Sequence, residues 1–445
     1  MPIKISQTEG AYGCVQRSDS ISDLRSPALG VKKALVISAV LFAACNRTAP
    51  TVSGPLPQRG YLWQRDWTAA VDGAVLEAQK RMDGMIVLGA EIRWAAGKPE
   101  VVRANINWEM LRSHNVSCGI ALRIAPYPGP FSADDATARF IVGVARSLVD
   151  LAASRGVVLS EFQIDFDCAQ KNLCAYHAWV RALREAVHPL RLVLTTLPAW
   201  LDDPEFVPLL RDADGYVLQV HSVPTSNVAN RATLCDAVLA RTWIKKAARL
   251  GLPFSVALPT YRCSAGYDAT GKLLSVAMDS VQPAWPPNTH VLEVATNADE
   301  MAMLVNEWRV ARPPNLREII WYRVPVATDM RNWHWVTLSA VMSGRKPLHQ
   351  LIVLQEGENP IDLSIANTGE ADEHLDSVVT ATWNSAAVVA ADALPGWTLD
   401  LTNGRAVFAT AAEHRMRLSP GGKRRLGWLR YERSASLQLE LAKKE

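Results

Sequence analysis

The sequence predicts a TIM barrel, a closed (β/α)8 barrel of the α/β class, followed by a smaller all-β sandwich-like domain. Between residues 59 and 345, short apolar or β-branched runs alternate with amphipathic stretches, which is the pattern of a parallel sheet covered by helices. Eight such runs within about 290 residues match the size of a TIM barrel. Over residues 346–445 short strands follow one another without helices between them, which predicts the β-sandwich.

The eight barrel strands are expected at residues 60–64, 85–91, 116–124, 159–167, 190–197, 215–221, 254–261 and 318–324. Helices are expected between them at residues 132–155, 172–186, 232–250 and 298–311. Ser132 is a suitable N-cap for the first of these helices, and Gly156 a suitable stop. In the sandwich, strands are expected at residues 350–354, 361–366, 378–383, 397–401, 406–409 and 426–430.

The composition describes a folded chain and excludes some functions. A length of 445 residues, with 49% hydrophobic and 20% charged, is enough for two or three domains of about 150 residues. The formal net charge is only +3, so we expect no nucleic-acid partner. Seven cysteines without a CxxC pair, and no HExxH helix, give no sign of zinc, and we expect neither a metal nor another cofactor. A metal site is the alternative, because Glu91, Asp165, Asp167 and His221 are usable ligands, but their scattered spacing gives no specific signal.

An apolar run over residues 34–44 has the character of a secretory signal. Its eleven residues are too few to cross about 30 Å of hydrocarbon, and Lys32 and Lys33 precede it. The sequence Ala43-Ala44-Cys45 resembles the lipobox of bacterial lipoproteins, in which the cysteine is lipidated. We therefore expect a signal peptide over residues 31–45, a lipid anchor in the membrane at Cys45, and a location in the bacterial cell envelope facing the periplasm or exterior. The alternatives are a plain secretory signal and a buried helix.

The segments around this leader have different compositions. Residues 1–30 are polar and serine-rich, which indicates an upstream extension from a start codon assigned too early, and residues 46–58 form a Pro/Ser/Thr tether. Export makes cysteines candidates for disulfides, with Cys168–Cys174 as the first expected pair and Cys235–Cys263 as the second. Cys118 is expected to be a buried thiol.

Polar side chains are expected to converge at the carboxyl-terminal mouth of the barrel. On the fourth strand the apolar residues Phe162, Ile164 and Phe166 face the helices, so Asp165 and Asp167 face inward with Gln163. The same alternation predicts inward side chains on six other strands, namely Glu91, Arg123, Thr195, Gln219, His221, Tyr261, Trp321 and Arg323. TIM-barrel enzymes have their active sites at this face. The alternative is structural, with Asp165 and Arg123 a stabilising pair and His221 a core histidine.

The run from Phe162 to Asp167 (FQIDFD) resembles the fourth-strand signature of glycoside hydrolase family 18, the chitinase-like barrels, which ends Asp-x-Asp-x-Glu. Residues 214–221, 251–261 and 319–321 are similar to the sixth, seventh and eighth strands of that family. The resemblance places Gln219 and His221 where Met and Tyr usually stand, and Trp321 at the sugar platform. It places the general acid at Ala169, which has no proton to give, so we expect no chitinase activity.

The whole arrangement resembles an uncharacterised family of bacterial lipoproteins of unknown function. The resemblance includes the leader, the segment GYLWQRDW at residues 60–67 and the segment RNWHWVTLSAVMSGR at residues 331–345. It implies the fold and the location, and it implies no reaction.

Two hypotheses for function follow. In the first, the protein recognises a cell-envelope glycan and is a glycosidase in which Asp167 and Glu91 are the catalytic pair, with Asp165 raising the pKa of its neighbour. The expected substrate-binding residues are Arg123, Gln219, His221, Tyr261, Trp321, Arg323 and Trp333, and Trp63 and Trp335 offer further flat faces. In the second hypothesis, motivated by Ala169, the protein is an inactive binding or scaffold lipoprotein on a degenerate hydrolase barrel. For Trp383, Trp397 and Trp428 in the sandwich, sugar binding and packing in the core or between domains are the two alternatives.

Overall fold

The computed structural model describes residues 52–224, 233–278, 284–384, 386–411 and 416–444. The upstream extension, the apolar leader and the lipobox cysteine Cys45 lie outside these ranges. Within them, no helix is long and apolar enough to cross a membrane.

The first part of the described chain alternates strands with helices. In chain order its elements are β1 (Gln58–Leu62), α1 (Ala69–Gln79), β2 (Gly84–Ala95), β3 (Lys98–Arg103), α2 (Trp108–Ser113), β4 (Cys118–Ile124), α3 (Ala136–Ser154), β5 (Leu159–Phe166), α4 (Leu173–Val187), β6 (Leu192–Thr196), α5 (Phe206–Arg211), β7 (Gly215–Gln219), α6 (Ala237–Arg249), β8 (Phe254–Pro259), β9 (Arg262–Tyr267), β10 (Leu273–Ala277), β11 (His290–Ala295), α7 (Ala298–Val310), β12 (Leu316–Tyr322) and α8 (Trp335–Met342).

Eight parallel strands close into a barrel, as the sequence predicts. Their order around the barrel is β1, β2, β4, β5, β6, β7, β8 and β12, and β12 pairs with β1 to close the ring. The apolar residues that alternate outward pack beneath the helices and form the main hydrophobic core. The TIM-barrel prediction is therefore confirmed, with each expected strand present within a few residues of its predicted bounds.

Helix α3 begins later than the sequence predicts. Its N-cap is Asp135, whose carboxylate accepts a hydrogen bond from the backbone N–H of Ala138 at 2.6 Å, so the expected cap Ser132 lies outside the helix. Aspartate caps a helix as well as serine does and is favoured by the positive end of the helix dipole. After the helix, Gly156 has a φ of +72°, which confirms the predicted stop.

The structure contains two additions that the strand pattern did not predict. Strand β3 folds back antiparallel on the distal half of β2 through a turn at Ala96 and Gly97, both with positive φ. Strands β9 to β11 form a separate three-stranded antiparallel sheet between β8 and α7. Strands β3, β10 and β11 are short and carry many exposed or half-exposed residues, and β9, although mostly buried, reads RCSAGY. All four therefore lack the apolar runs that identify the barrel strands.

The C-terminal region is built from antiparallel strands. Its elements are β13 (Leu351–Glu356), β14 (Ile361–Asn367), β15 (Glu373–Leu375), β16 (Ser377–Trp383), β17 (Val388–Ala393), β18 (Trp397–Thr402), β19 (Arg405–Thr410), β20 (Met416–Leu418), β21 (Lys423–Tyr431) and β22 (Leu437–Lys443). Two four-stranded sheets, β13-β14-β21-β17 and β18-β19-β16-β22, share one hydrophobic core, and β15 pairs with β20. Trp383 and Trp397 are buried in that core, so of the two expected uses packing applies to them, while Trp428 is half-buried.

Charged contacts join the barrel to the sandwich. Arg262 at the start of β9 donates to the Asp372 carboxylate at 2.7 Å, and His349 lies between Asp299 of α7, at 3.3 Å, and Glu373 of β15, at 2.7 Å. The sandwich is therefore attached to two parts of the barrel domain, helix α7 and the inserted sheet of β9 to β11.

The expected disulfides are not formed. Cys168, Cys235 and Cys263 are buried free thiols, so neither Cys168–Cys174 nor Cys235–Cys263 is bonded. Each of the three is packed in an apolar core, where its thiol fills space as a small hydrophobic group. Cys118 is also buried as a free thiol, as expected, and burial raises its pKa to about 11.

Candidate functional site

The interior of the barrel is arranged in layers along its axis. The middle layer is apolar or aromatic and consists of Tyr61, Ile86, Ala121, Val193, Val217, Ala257 and Ile320. Below it, at the amino-terminal end, the Arg59 guanidinium is held between Glu161 at 3.1 Å and Glu318 at 2.5 Å. Above it, at the carboxyl-terminal end, lies the polar mouth of the barrel, which contains most of the residues expected to be functional.

Asp165 is the centre of the hydrogen bonding in the mouth. Its carboxylate accepts from Arg123 Nη1 at 2.7 Å, from Thr195 Oγ1 at 2.8 Å and from Gln219 Nε2 at 3.0 Å. These donors come from three other strands, and Asp165 itself is only 6% exposed. The inward positions predicted for all four residues are therefore observed, and Asp165 is held rigidly.

Arg123 links two carboxylates across neighbouring strands. In the strand register Arg123 stands beside Glu91 on one side and beside Asp165 on the other. Its pKa is raised well above the usual range, chiefly by the charge of Asp165 and further by Asp167 and Glu91, although burial acts in the opposite direction. The mouth is thus a cluster of alternating charges and not a set of isolated carboxylates.

Glu91 reaches the mouth because β2 contains a bulge. Ile86 faces the barrel interior, and strict alternation would turn Glu91 outward, but the register shifts between Leu88 and Ala90. After this shift Ala90 packs outward and Glu91 points inward. Its carboxylate forms a salt bridge with Arg65, whose Nε lies 2.9 Å away.

Asp167 differs from the other two carboxylates of the mouth. It follows the end of β5, its side chain is open to solvent, and it has no hydrogen-bond partner among the described residues. The protein around it displaces part of its hydration shell, and this effect, reinforced by the charge of Asp165 and opposed by Arg123, raises its pKa to about 6. Asp167 is consequently partly protonated near neutral pH.

Aromatic rings form one wall of the mouth. Tyr61, Trp63 and Tyr322 meet edge to face, with centroids 5.4 to 5.8 Å apart. Tyr322 also stacks on His221 at 5.6 Å and contacts the edge of Tyr261 at 5.5 Å. The wall thus places aromatic faces and phenol hydroxyls beside the carboxylates of the mouth.

The expected orientation of Trp321 is wrong. Trp321 is completely buried in the layer between barrel and helices, where its Nε1 donates to Gln58 Oε1 at 2.8 Å, and Tyr322 faces the mouth in its place. Residues 318–322 read Glu-Ile-Ile-Trp-Tyr, so both alternating sets are apolar and periodicity does not identify the inner face. Two other expected sugar platforms, Trp333 and Trp335, also pack against the outer core.

Arg323 lies close to the aromatic wall but is already paired. Its guanidinium contacts the Asp329 carboxylate at 2.6 Å, and its charge acts on Tyr261 and Tyr322. Sequence reasoning missed Tyr322, Arg65 and Asp329 as parts of the mouth. Tyr322 was detectable, since it shares the alternating face of Ile320, whereas the two loop residues Arg65 and Asp329 carried no periodic signal.

The described residues contain no group of three or more His, Cys, Asp or Glu side chains arranged to hold a metal ion.

Two family models match parts of the chain, and neither describes an activity. Residues 131–327 match the family described as domain of unknown function (DUF3142). Residues 350–432 match a second family with the description domain of unknown function (DUF8456), and no curated protein matches the chain. The expected resemblance to a family of unknown function is thus confirmed, whereas its description as a lipoprotein family stays a prediction.

Among solved structures, the chain is similar to a chitinase from Bacillus thuringiensis at 8% identity and a TM-score of 0.41, covering 87% of this chain and 100% of that chain. It is similar to the spore cortex-lytic enzyme of Bacillus megaterium at 11% identity and a TM-score of 0.45, covering 66% and 75%. A family 18 chitinase from Chromobacterium violaceum gives 11% identity and a TM-score of 0.39, covering 88% and 91%. At such identities the likeness concerns the fold alone.

Proposed function

We propose that this protein binds a glycan in the mouth of its barrel and hydrolyses a glycosidic bond, with Asp167 as the proton donor. The observation that carries the proposal is the state of Asp167, a solvent-accessible carboxyl with no described partner and a pKa of about 6. A general acid works best when its pKa lies near the working pH. Asp165 and Glu91, by contrast, are both bonded to cationic side chains.

The second carboxylate that glycoside hydrolysis requires is Glu91 in this proposal. Retaining and inverting glycosidases both pair an acid with a base or nucleophile on the other side of the scissile bond. Glu91 stands on β2, two strands away from the strand that leads to Asp167, with Arg123 between them in register. Asp165 has the role of a positioning residue, because its three donors leave it fixed and its charge raises the pKa of Asp167.

The test is hydrolysis of a panel of peptidoglycan and exopolysaccharide fragments, with products followed by mass spectrometry. Asp167→Asn is expected to slow turnover at least about 100-fold, because general acid catalysis contributes that much or more. Glu91→Gln is expected to have a comparable effect, and Asp150→Asn, an exposed aspartate on α3, serves as the matched control with no effect. Equal rates for Asp167→Asn and wild type, or no turnover of any glycan, would contradict the proposal.

The absence of a carboxyl at Ala169 favours a second function, glycan binding without hydrolysis. Ala169 follows the fourth strand at the position where the resembling family has its acid, and its side chain is exposed. The measurement is calorimetry of the same glycan panel with wild type and Asp167→Asn. If both bind a glycan and wild type forms no product from it, the result favours binding over catalysis.

We also propose that the protein is attached to the cell envelope by lipidation of Cys45, on the evidence of the leader sequence alone. Labelling of cells with a radioactive fatty acid is expected to mark wild type. The Cys45→Ser variant should remain unlabelled, and a labelled variant would contradict the anchor.

A further inference from the structure

The rings of three residues pack together on one side of the mouth, and we call His221, Tyr261 and Tyr322 the His-Tyr-Tyr cluster. Nε2 of His221 and the two tyrosine hydroxyl oxygens have no hydrogen-bond partner among the described residues. The ring of Tyr322 lies 5.6 Å from His221 and 5.5 Å from Tyr261, while His221 and Tyr261 are 6.3 Å apart. None of the three atoms belongs to the fully buried side-chain atoms that lack a hydrogen-bond partner. They are therefore left for water or a ligand.

The position of His221 determines which ring nitrogen carries the proton. Its Nδ1 lies 3.4 Å from the main-chain carbonyl oxygen of Ala257, and a carbonyl oxygen only accepts hydrogen bonds. Nδ1 is therefore the protonated nitrogen and donates to Ala257. Contact of the ring with Tyr322 and Tyr261 holds this orientation, and Nε2 is left with a lone pair that can accept a hydrogen bond.

The charge states of the cluster agree with this tautomer. Burial lowers the pKa of His221 to about 4, although the hydrogen bond to Ala257 and the charge of Asp165 act to raise it, so the imidazole is neutral near pH 7. Burial also raises the pKa of Tyr322 to about 12 and that of Tyr261 well above its usual value. Both phenols keep their protons, and the cluster offers one acceptor beside two donors.

We infer that the His-Tyr-Tyr cluster is a specificity subsite that recognises a sugar hydroxyl, with His221 Nε2 accepting a hydrogen bond from that hydroxyl and a tyrosine hydroxyl donating one to its oxygen. The inference rests on the proposed function and names the group on the glycan that this part of the mouth selects. A hydroxyl both gives and accepts a hydrogen bond, which satisfies an acceptor and a donor together. A deoxy, O-methyl or carboxylate group at that position leaves Nε2 unpaired.

The cluster is placed to act on the sugar that Asp167 would protonate. The charges of Arg123 and Asp165 act on Tyr322, and the same two residues act on Asp167. Asp167 and Tyr322 therefore border the same charged pair, and in this inference the sugar that meets the acid also meets the cluster. This makes His221 a determinant of which glycan is held in the reactive position, without a role in proton transfer.

The binding experiment is calorimetry with cellohexaose, laminarihexaose and chitohexaose. His221→Phe keeps a ring on Tyr322 but removes the acceptor, and it is expected to weaken the best-bound probe about tenfold, the effect of one lost hydrogen bond. His221→Gln, whose amide oxygen again accepts, is expected to recover most of the affinity. His290→Phe on β11, an exposed histidine, is the matched control and should bind as wild type does.

The outcomes separate this inference from the proposed function. Full affinity in His221→Phe, with hydrolysis still lost in Asp167→Asn, would overturn the subsite and leave the function standing. No probe bound by wild type would overturn the subsite, and if no member of the glycan panel is hydrolysed either, the proposed function falls with it. A second measurement needs no ligand and no variant: long-range 1H–15N NMR correlations of the His221 ring are expected to show Nδ1 protonated and Nε2 bare near pH 7. A proton on Nε2 would overturn the inference.

Discussion

Arg123 and Asp165 face each other across the neighbouring strands β4 and β5, with Nη1 of the guanidinium 2.7 Å from Oδ2 of the carboxylate. This pair stands between the two carboxyl groups to which catalysis is assigned. Its charge balance therefore controls the proton affinity of Asp167, since Asp165 raises that pKa and Arg123 lowers it.

Replacement of Arg123 by Gln is expected to raise the pKa of Asp167 above its value of about 6, because only the cation that opposes the rise is removed. The measurement is a 13C NMR titration of the Asp167 carboxyl carbon. Arg155→Gln, at the distant end of α3, is the control and should leave the titration unchanged. An Asp167 midpoint that stays constant or falls in Arg123→Gln would contradict the assignment.

Asp167 is expected to lower the stability of the protein above pH 6. Because its folded pKa is raised, the folded state holds the proton more tightly than the unfolded chain, whose aspartate pKa is about 4. The contribution of Asp167 to stability is thus fully present below about pH 4 and is lost as the pH rises through about 6. Asp167→Asn should melt at a higher temperature than wild type at pH 8, with the difference vanishing near pH 4. A variant less stable than wild type at pH 8 refutes this.

Arg59 is expected to be essential for the stability of the barrel. Its guanidinium neutralises Glu161 and Glu318, and its removal leaves two carboxylates in a largely buried layer. Arg59→Met should lower the free energy of unfolding by about 3–5 kcal/mol, the effect of breaking a buried ion pair. Urea unfolding followed by tryptophan fluorescence measures it. Arg317→Met, an exposed arginine on β12, should change stability by no more than about 0.5 kcal/mol, and equal effects of the two would sink the argument.

The contact of His349 with the barrel is expected to depend on pH. Burial acts to lower the pKa of His349, but hydrogen bonds to Asp299 and Glu373 outweigh it and raise that pKa. The stabilisation is fully present below the unfolded pKa of about 6.5 and is lost as the pH rises through the folded value. His349→Gln should melt below wild type at pH 6 and level with it at pH 9. His290→Gln is the control, and a loss independent of pH would show that charge is not involved.

Two tryptophans are expected to separate binding from stability. Trp63→Ala removes an aromatic face of the mouth and should weaken binding of the hydrolysed glycan about tenfold, with little change in melting temperature. Trp321→Phe removes a buried hydrogen bond to Gln58 and should lower stability by about 1 kcal/mol without affecting the glycan. Calorimetry and thermal melting on both variants test this. Weaker glycan binding in Trp321→Phe, with unchanged binding in Trp63→Ala, would contradict the prediction and indicate that Trp321 belongs to the site.

The sequence predicts the barrel well because the signal is repeated eight times. Outward residues such as Phe162, Ile164 and Phe166 are apolar while their neighbours are polar, so the inner face of β5 is unambiguous. On β12 both faces are apolar, so alternation did not show whether Trp321 or Tyr322 faces the barrel interior. The prediction of Trp321 was wrong for that reason. Strand alternation thus identifies a face only where the two faces differ in polarity.

The partners of the mouth residues were harder to predict than the residues themselves. A pair of Asp165 with Arg123 was considered as the structural alternative, but the salt bridges of Arg65 with Glu91 and of Asp329 with Arg323 involve loop residues. Loops have no periodicity, and their contacts depend on the path of the chain over the barrel rim. Only when these loop contacts are known does Asp167 stand out as the carboxyl of the mouth that has no partner among the described residues.

The filled interior of the barrel determines the route that a ligand can take. Because the apolar layer and the Arg59 ion-pair layer beneath it close the axis, the mouth is blind-ended, and no chain can thread through from one face to the other. A polymer that reaches Asp167 must lie across the rim, and any fragment released from it must leave on the side by which it arrived.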